Sequence, residues 1–155
     1  MHGRIFIIKR KDEGEDDIVY PDWEDLPRWM DYANSEDEEQ FKESLEWIRK
    51  DGEFSQCIAE DGTIEIKGED KMGAYGDYYN EIWEAIENFE EKIKRSVGVD
   101  SLLHEMDWLK YKIGAVGNYN FMFYNMQMGL LSEFEYITWG YEDGDRIVGS
   151  MDYHM

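Results

Sequence analysis

The polar and apolar positions of this chain follow two periods, and the boundaries between them divide it into elements. At the start, Gly3–Lys11 places Ile5, Phe6, Ile7 and Ile8 in succession, the mark of a strand buried on both faces at its middle. The next six residues, Asp12–Asp17, are polar and read as a loop. Asp25 can then cap a short helix that tolerates Pro27 in its first turn, with Leu26, Trp29, Met30 and Ala33 on one face. Ser35 with Glu38 three residues on is a capping-box signature for a helix reaching about Lys50, whose inward stripe is Phe41, Leu45 and Ile48. Asp51-Gly52 ends it.

Two Asp-Gly pairs, Asp61-Gly62 and Asp143-Gly144, each lie between β-favouring runs and predict hairpins, because tight turns need the positive φ that glycine supplies. Between them, Tyr75, Tyr79, Ile82, Ile86, Phe89 and Ile93 predict a helix over about 74–97 that stops at Gly98. Asp100 or Ser101 caps a further helix, with Leu102, Leu103, Met106, Leu109 and Ile113 directed inward. Phe121–Met128 fits either strand or helix, its aromatics favouring strand. The expected fold is α+β: one domain over residues 1–155, a mainly antiparallel sheet formed by the N-terminal strand and two Asp-Gly hairpins, packed with three to four helices.

Composition supports a folded chain. In 155 residues, 42% are hydrophobic and 15% aromatic, enough for a core and unlike disordered acidic tails. No run approaches the roughly 18 apolar residues of a membrane span, and the start carries no signal-peptide pattern, so the expected compartment is the cytoplasm. The lone Cys57 fits a reducing environment.

Charge changes the picture most. The net −21 argues against nucleic acid or anionic membrane as a direct partner and in favour of a basic protein. It is also unevenly placed: residues 1–11 carry Arg4, Lys9, Arg10 and Lys11 with no acid, whereas residues 12–47 hold 15 acids against Arg28 and Lys42. Within this acidic segment, Glu36, Glu39, Glu43 and Glu46 fall at spacings of three, four and three, opposite the Phe41/Leu45/Ile48 stripe. Such a like-charge row weakens a helix by roughly 0.2–0.5 kcal/mol per pair, so stability alone does not select it. The 74–97 helix is balanced instead, with Glu90 and Glu91 followed at i+4 by Lys94 and Arg95.

The candidate partner-binding surface is therefore Asp16, Asp17, Asp22, Trp23, Glu24, Asp25, Asp31, Glu36, Glu39, Glu43 and Glu46; Trp23 is the best candidate for an exposed anchor, with core or hydrophobic-staple packing an equal alternative, and Trp29 is assigned to the core. Catalytic chemistry lacks a constellation: Cys57 has no local histidine, His2, His104 and His154 are dispersed in sequence, and the acidic loops depart from the EF-hand pattern. Neither a metal nor a cofactor is expected. Met122, Met126 and Met128 are read as gap-fillers of the core.

In composition and charge placement the chain resembles small acidic inhibitors, including phage antirestriction and anti-CRISPR proteins that imitate nucleic acid. The resemblance implies a non-enzymatic inhibitor that blocks the basic nucleic-acid-binding surface of a nuclease or defence enzyme. An immunity or antitoxin protein neutralising a cationic toxin is the alternative, and a small-molecule-binding domain or enzyme the third class. No exposed heptad compels a dimer.

Overall fold

A computed structural model describes residues 2–14, 18–114 and 120–154. It has an α+β fold with five strands in the order β2-β5-β1-β3-β4, where β1 is His2–Lys9, β2 Tyr32–Ser35, β3 Phe121–Asn125, β4 Gly129–Ser132 and β5 Arg146–His154. Only β1 and β3 run parallel; the other three pairings are antiparallel. Among the described residues no helix is long and apolar enough to cross a membrane.

Alternation along β1 builds two cores, since successive side chains leave opposite faces of the sheet. Phe6 and Ile8 join Phe121, Phe123, Leu131 and Ile147 on one face, covered by Leu45 and Ile48 of α1, Glu38–Asp51. Ile5 and Ile7 join Met122, Tyr124, Met151 and Tyr153 on the other, covered by Leu26 and Met30 of the segment that precedes β2.

That segment departs from the expected helix. It forms a single 3-10 turn, Trp23–Asp25, and then extends into β2, whose residues pair with the end of β5. Pro27 cannot donate a helical hydrogen bond, and an open edge on β5 offers the following residues a complete ladder. The capping box of α1 also sits two residues later than the Ser35 signature: Asp37 accepts from the Gln40 amide and Gln40 accepts from the Asp37 amide, each at 2.9 Å. Gly52 follows as the cap with φ −70°, so its lack of a side chain serves a close approach to the Ile48 carbonyl rather than a left-handed backbone.

Neither Asp-Gly turn is flanked by two strands. Around Gly62, at φ +84°, the arms meet through one isolated bridge, Ile58 to Ile64. They dock instead on the start of β5, where the Ile147 amide donates to the Gly62 carbonyl at 2.8 Å. Before Gly144 the chain is helical, with α4 at Glu133–Glu135 continued by a π turn over Tyr136–Gly140. Tertiary packing overrides the β preference of that run, because Tyr136 stacks on Phe123 at 4.6 Å inside the first core. The regular hairpin is β3-β4, turning at Gly129 with φ +75°, which resolves Phe121–Met128 as a strand followed by a turn. Met122 is buried and Met128 packs against the core, whereas Met126 is exposed.

Two long helices stand apart from these layers. α2, Gly68–Arg95, begins well before the expected start, and α3, Val99–Gly114, follows a turn at Gly98 with φ +93°. They pack on each other, tied by Lys92 to Glu105 at 3.7 Å, and α2 meets α4 through Tyr78, stacked on Phe134 at 3.7 Å. No residue of α2 is buried, and Leu102, Leu103 and Met106, expected inward, are exposed. Leu109 is half-buried, and the Ile113 side chain lies outside the described residues.

Candidate functional site

The expected acidic surface divides into three parts in the fold. The first is the turn at Trp23. Leu26 and Met30 are buried in the second core, and the turn closes through Asp25 N–H to the Asp22 carbonyl at 2.9 Å and Leu26 N–H to the Trp23 carbonyl at 3.2 Å. Pinned in this way, Asp22, Glu24 and Asp25 are exposed, and Trp23 keeps 57% of its surface in solvent. Beneath them, burial pushes the Tyr124 phenol pKa up, and the charges of Asp25 and then Asp22 push it further. Trp29 was expected in the core. Its ring meets Tyr153 edge-on at 6.0 Å but remains substantially exposed, because the chain here makes a turn, the Met30 amide donating to the Pro27 carbonyl at 3.0 Å, in place of the expected helix.

The second part is the outer face of α1. Glu39, Glu43 and Glu46 are exposed and form no ion pair with another described residue, while the neighbouring Glu38 is bridged by Lys42 at 3.0 Å. α1 covers the opposite face of the sheet from the Trp23 turn, so the two patches are not one continuous surface. Asp31 lies between them at the β2 edge, where its carboxylate is 2.9 Å from the His154 ring. Asp16 and Asp17 lie outside the described residues.

Glu36 is the correction to the row. It precedes α1, and its side chain is only 5% exposed. Arg4 approaches one carboxylate oxygen at 2.9 Å, and the Ser44 and Ser150 hydroxyls donate to the other, Ser44 at 2.6 Å. Arg4 also pairs with Asp152 and lies over the Trp47 ring. The signal in the sequence was position 4: a cation two residues before Phe6 and four before Ile8 faces the same core and needs a carboxylate there.

Further polar clusters also escaped the sequence. Arg10 and Asp145, both buried, approach at 3.4 Å, while Asp145 accepts from the Tyr136 hydroxyl at 2.7 Å and the Glu142 amide at 3.1 Å. Burial raises the Asp145 pKa despite these partners and raises the Tyr136 phenol even more strongly. The strand register, in turn, sets His2 opposite His154, ring centroids 5.0 Å apart, with Tyr32 stacked on His154.

Cys57 is buried, and burial, followed by the neighbouring Asp70, pushes its thiol up to about 11, so it stays protonated at neutral pH. Among the described residues no group of three or more His, Cys, Asp or Glu side chains could hold a metal ion.

Glu133 is the most perturbed carboxyl, pushed up to about 8 chiefly by burial, yet it is wholly enclosed and accepts the Glu53 amide at 2.8 Å, a role in holding the loop after α1. The fold retains its proton at pH values where the unfolded chain, with the ordinary value of 4.5, has lost it. Its contribution to stability is therefore complete below about pH 4.5 and is lost as pH rises towards 8. Between pH 5 and 8 the melting temperature should fall by on the order of 10 °C from this group. Glu133→Gln, which preserves the acceptor without the ionisation, should remove that part of the decline. Parallel thermal-unfolding curves across the range check it, and identical slopes for the two proteins would reject the assignment.

No protein-family model, curated protein or solved structure matches this chain.

Proposed function

We propose that this protein is an acidic, non-enzymatic inhibitor that occupies the basic nucleic-acid-binding surface of a partner, a nuclease or related defence enzyme, in the cytoplasm. The observation that carries the reading is Trp23, an indole more than half exposed on a turn that the core holds still, flanked by three exposed carboxylates. An aromatic ringed by charge is what a tight interface uses as an anchor, and a turn ordered in advance loses little entropy on docking. The surrounding acids steer the encounter with a cationic surface.

The α1 row is the second contribution. With Glu36 turned inward, Glu39, Glu43 and Glu46 span about 10 Å at 1.5 Å per residue, against one charge per about 1.7 Å of axis in duplex DNA. The row imitates a short part of a phosphate lattice, so the Trp23 turn is the primary contact in this reading.

Affinity capture from cell lysate at low and high salt, with mass spectrometry of what is retained, identifies the partner. A basic nucleic-acid-binding protein released by salt and displaced by excess duplex DNA is the expected result. Trp23→Ala should weaken binding about thirtyfold, the effect of losing an anchor of about 2 kcal/mol. Asp22, Glu24 and Asp25 together changed to Lys should abolish capture, with a smaller loss for the same change at Glu39, Glu43 and Glu46. A partner indifferent to nucleic acid would instead point to an immunity or antitoxin protein. Unchanged affinity in the Trp23 and turn variants would overturn the site.

A further inference from the structure

Of the large apolar side chains that the fold leaves exposed, most belong to the α2–α3 pair: Met72, Tyr75, Tyr79, Trp83, Val97, Val99, Leu102, Leu103, Met106 and Trp108. They are not scattered. At 3.6 residues per turn, Met72, Tyr75, Tyr79 and Trp83 form one stripe along α2. The groove on one side of the pair is lined by Glu84, Asn88, Lys92, Glu105, Trp108 and Lys112. The same helical phase places the α2 stripe on the opposite side, and Val99, Leu103 and Met106 of α3 on that side as well.

The two helices run antiparallel, with Lys92 beside Glu105, so the aromatic stripe occupies the end nearest the sheet and the α3 aliphatics occupy the tip. On this side the apolar residues lie at both ends of the arm, aromatics at one and aliphatics at the other, while the α2 phase continues past Trp83 to the ion-paired Glu90 and Lys94. Met72 is 76% exposed and Tyr79 62%, values far from those of a packed helix face.

We propose that this face pairs with the same face of a second copy, the two arms lying head to tail in a four-helix bundle. Two-fold symmetry requires a surface complementary to itself, and a head-to-tail arrangement sets Leu103 and Met106 of one chain against Tyr79 and Trp83 of the other.

The exposed area suits a second copy. Fully exposed aromatic side chains present about 150–250 Å² each, so the seven residues of the face expose about 700 Å² per chain. A stable dimer buries about 800 Å² from each partner, rim included.

Sedimentation equilibrium of the full chain tests the proposal. At about 50 μM, above the μM to pM range of dissociation constants found for interfaces of about this size, the mass should be twice 18.5 kDa. Tyr79→Glu and Leu103→Glu, each on an exposed position, should give monomers with an unchanged circular dichroism spectrum. For the direction of pairing, chains carrying Tyr79→Cys and chains carrying Leu103→Cys are mixed and treated with a short bifunctional maleimide. Cross-links between the two kinds, in excess over links within either kind, are expected. A monomeric wild-type protein, dimers that survive both glutamate variants, or links confined to like chains would each overturn the proposal.

Discussion

Asp145→Ala should lower the free energy of unfolding by about 3–5 kcal/mol, because it leaves a buried cation and a buried phenol without their common acceptor. Arg10 is almost fully enclosed, and its other carboxylate neighbour, Glu142, is largely in solvent at 3.4 Å. Tyr136, with no exposed surface, would keep a hydroxyl facing an empty space. For a chain of this size the change corresponds to a fall of about 10–15 °C in melting temperature. Asp145→Asn should fall between, since an amide still accepts from Tyr136 and the Glu142 amide while the charge opposite Arg10 is lost. Urea unfolding followed by circular dichroism measures both. A loss below about 1 kcal/mol for the alanine variant would mean that water reaches Arg10.

Glu36→Lys is the second large effect. The substitution places a cation against Arg4 inside the contact that joins α1, β1 and β5 through Ser44, Arg4 and Ser150, and should cost about 4 kcal/mol or prevent folding. Glu36→Gln should cost about 1–3 kcal/mol, retaining the hydroxyl donors and losing the ion pair. By contrast, Glu39→Lys, Glu43→Lys and Glu46→Lys should each leave stability within about 0.5 kcal/mol. The same unfolding series separates the four positions, and a Glu36 variant as stable as the other three would return it to the exposed row.

Legibility followed the range of the forces involved. β1 and α1 were readable because each buries its own periodic stripe, and Phe41, Leu45 and Ile48 sit where the spacing placed them. The 25–33 segment was misread because its conformation is set by β5, more than a hundred residues away in sequence, rather than by its own pattern. Tyr136–Gly140 was misread for the same reason. α2 begins earlier than its stripe suggested because Asp70 accepts the Lys67 amide at 2.8 Å, which fixes the first turn despite Gly73 and Gly76 downstream.

In the acidic surface, the exposure of the outer α1 carboxylates was legible, and that of Trp23 was one of two open readings. That the sheet separates them was not, because one-dimensional charge runs do not record which layer a segment covers. The arm shows the converse. Its apolar periodicity indicates only which positions need cover: Ile82, Ile86, Phe89 and Ile93 are half-buried, whereas Tyr75 and Tyr79 of the same stripe stay exposed.

The place of β5 in the sheet sets an order of events for the chain. It lies between β1 and β2, with His2 opposite His154, so β1 cannot complete its ladder until a strand more than 130 residues further along is present. β3, the other neighbour of β1, is also distant in sequence. Contacts of such long separation make folding slow, and during synthesis the Ile5–Ile8 run waits with both edges unpaired. Until Arg146–His154 arrives, the most apolar segment of the chain is its most vulnerable to mispairing.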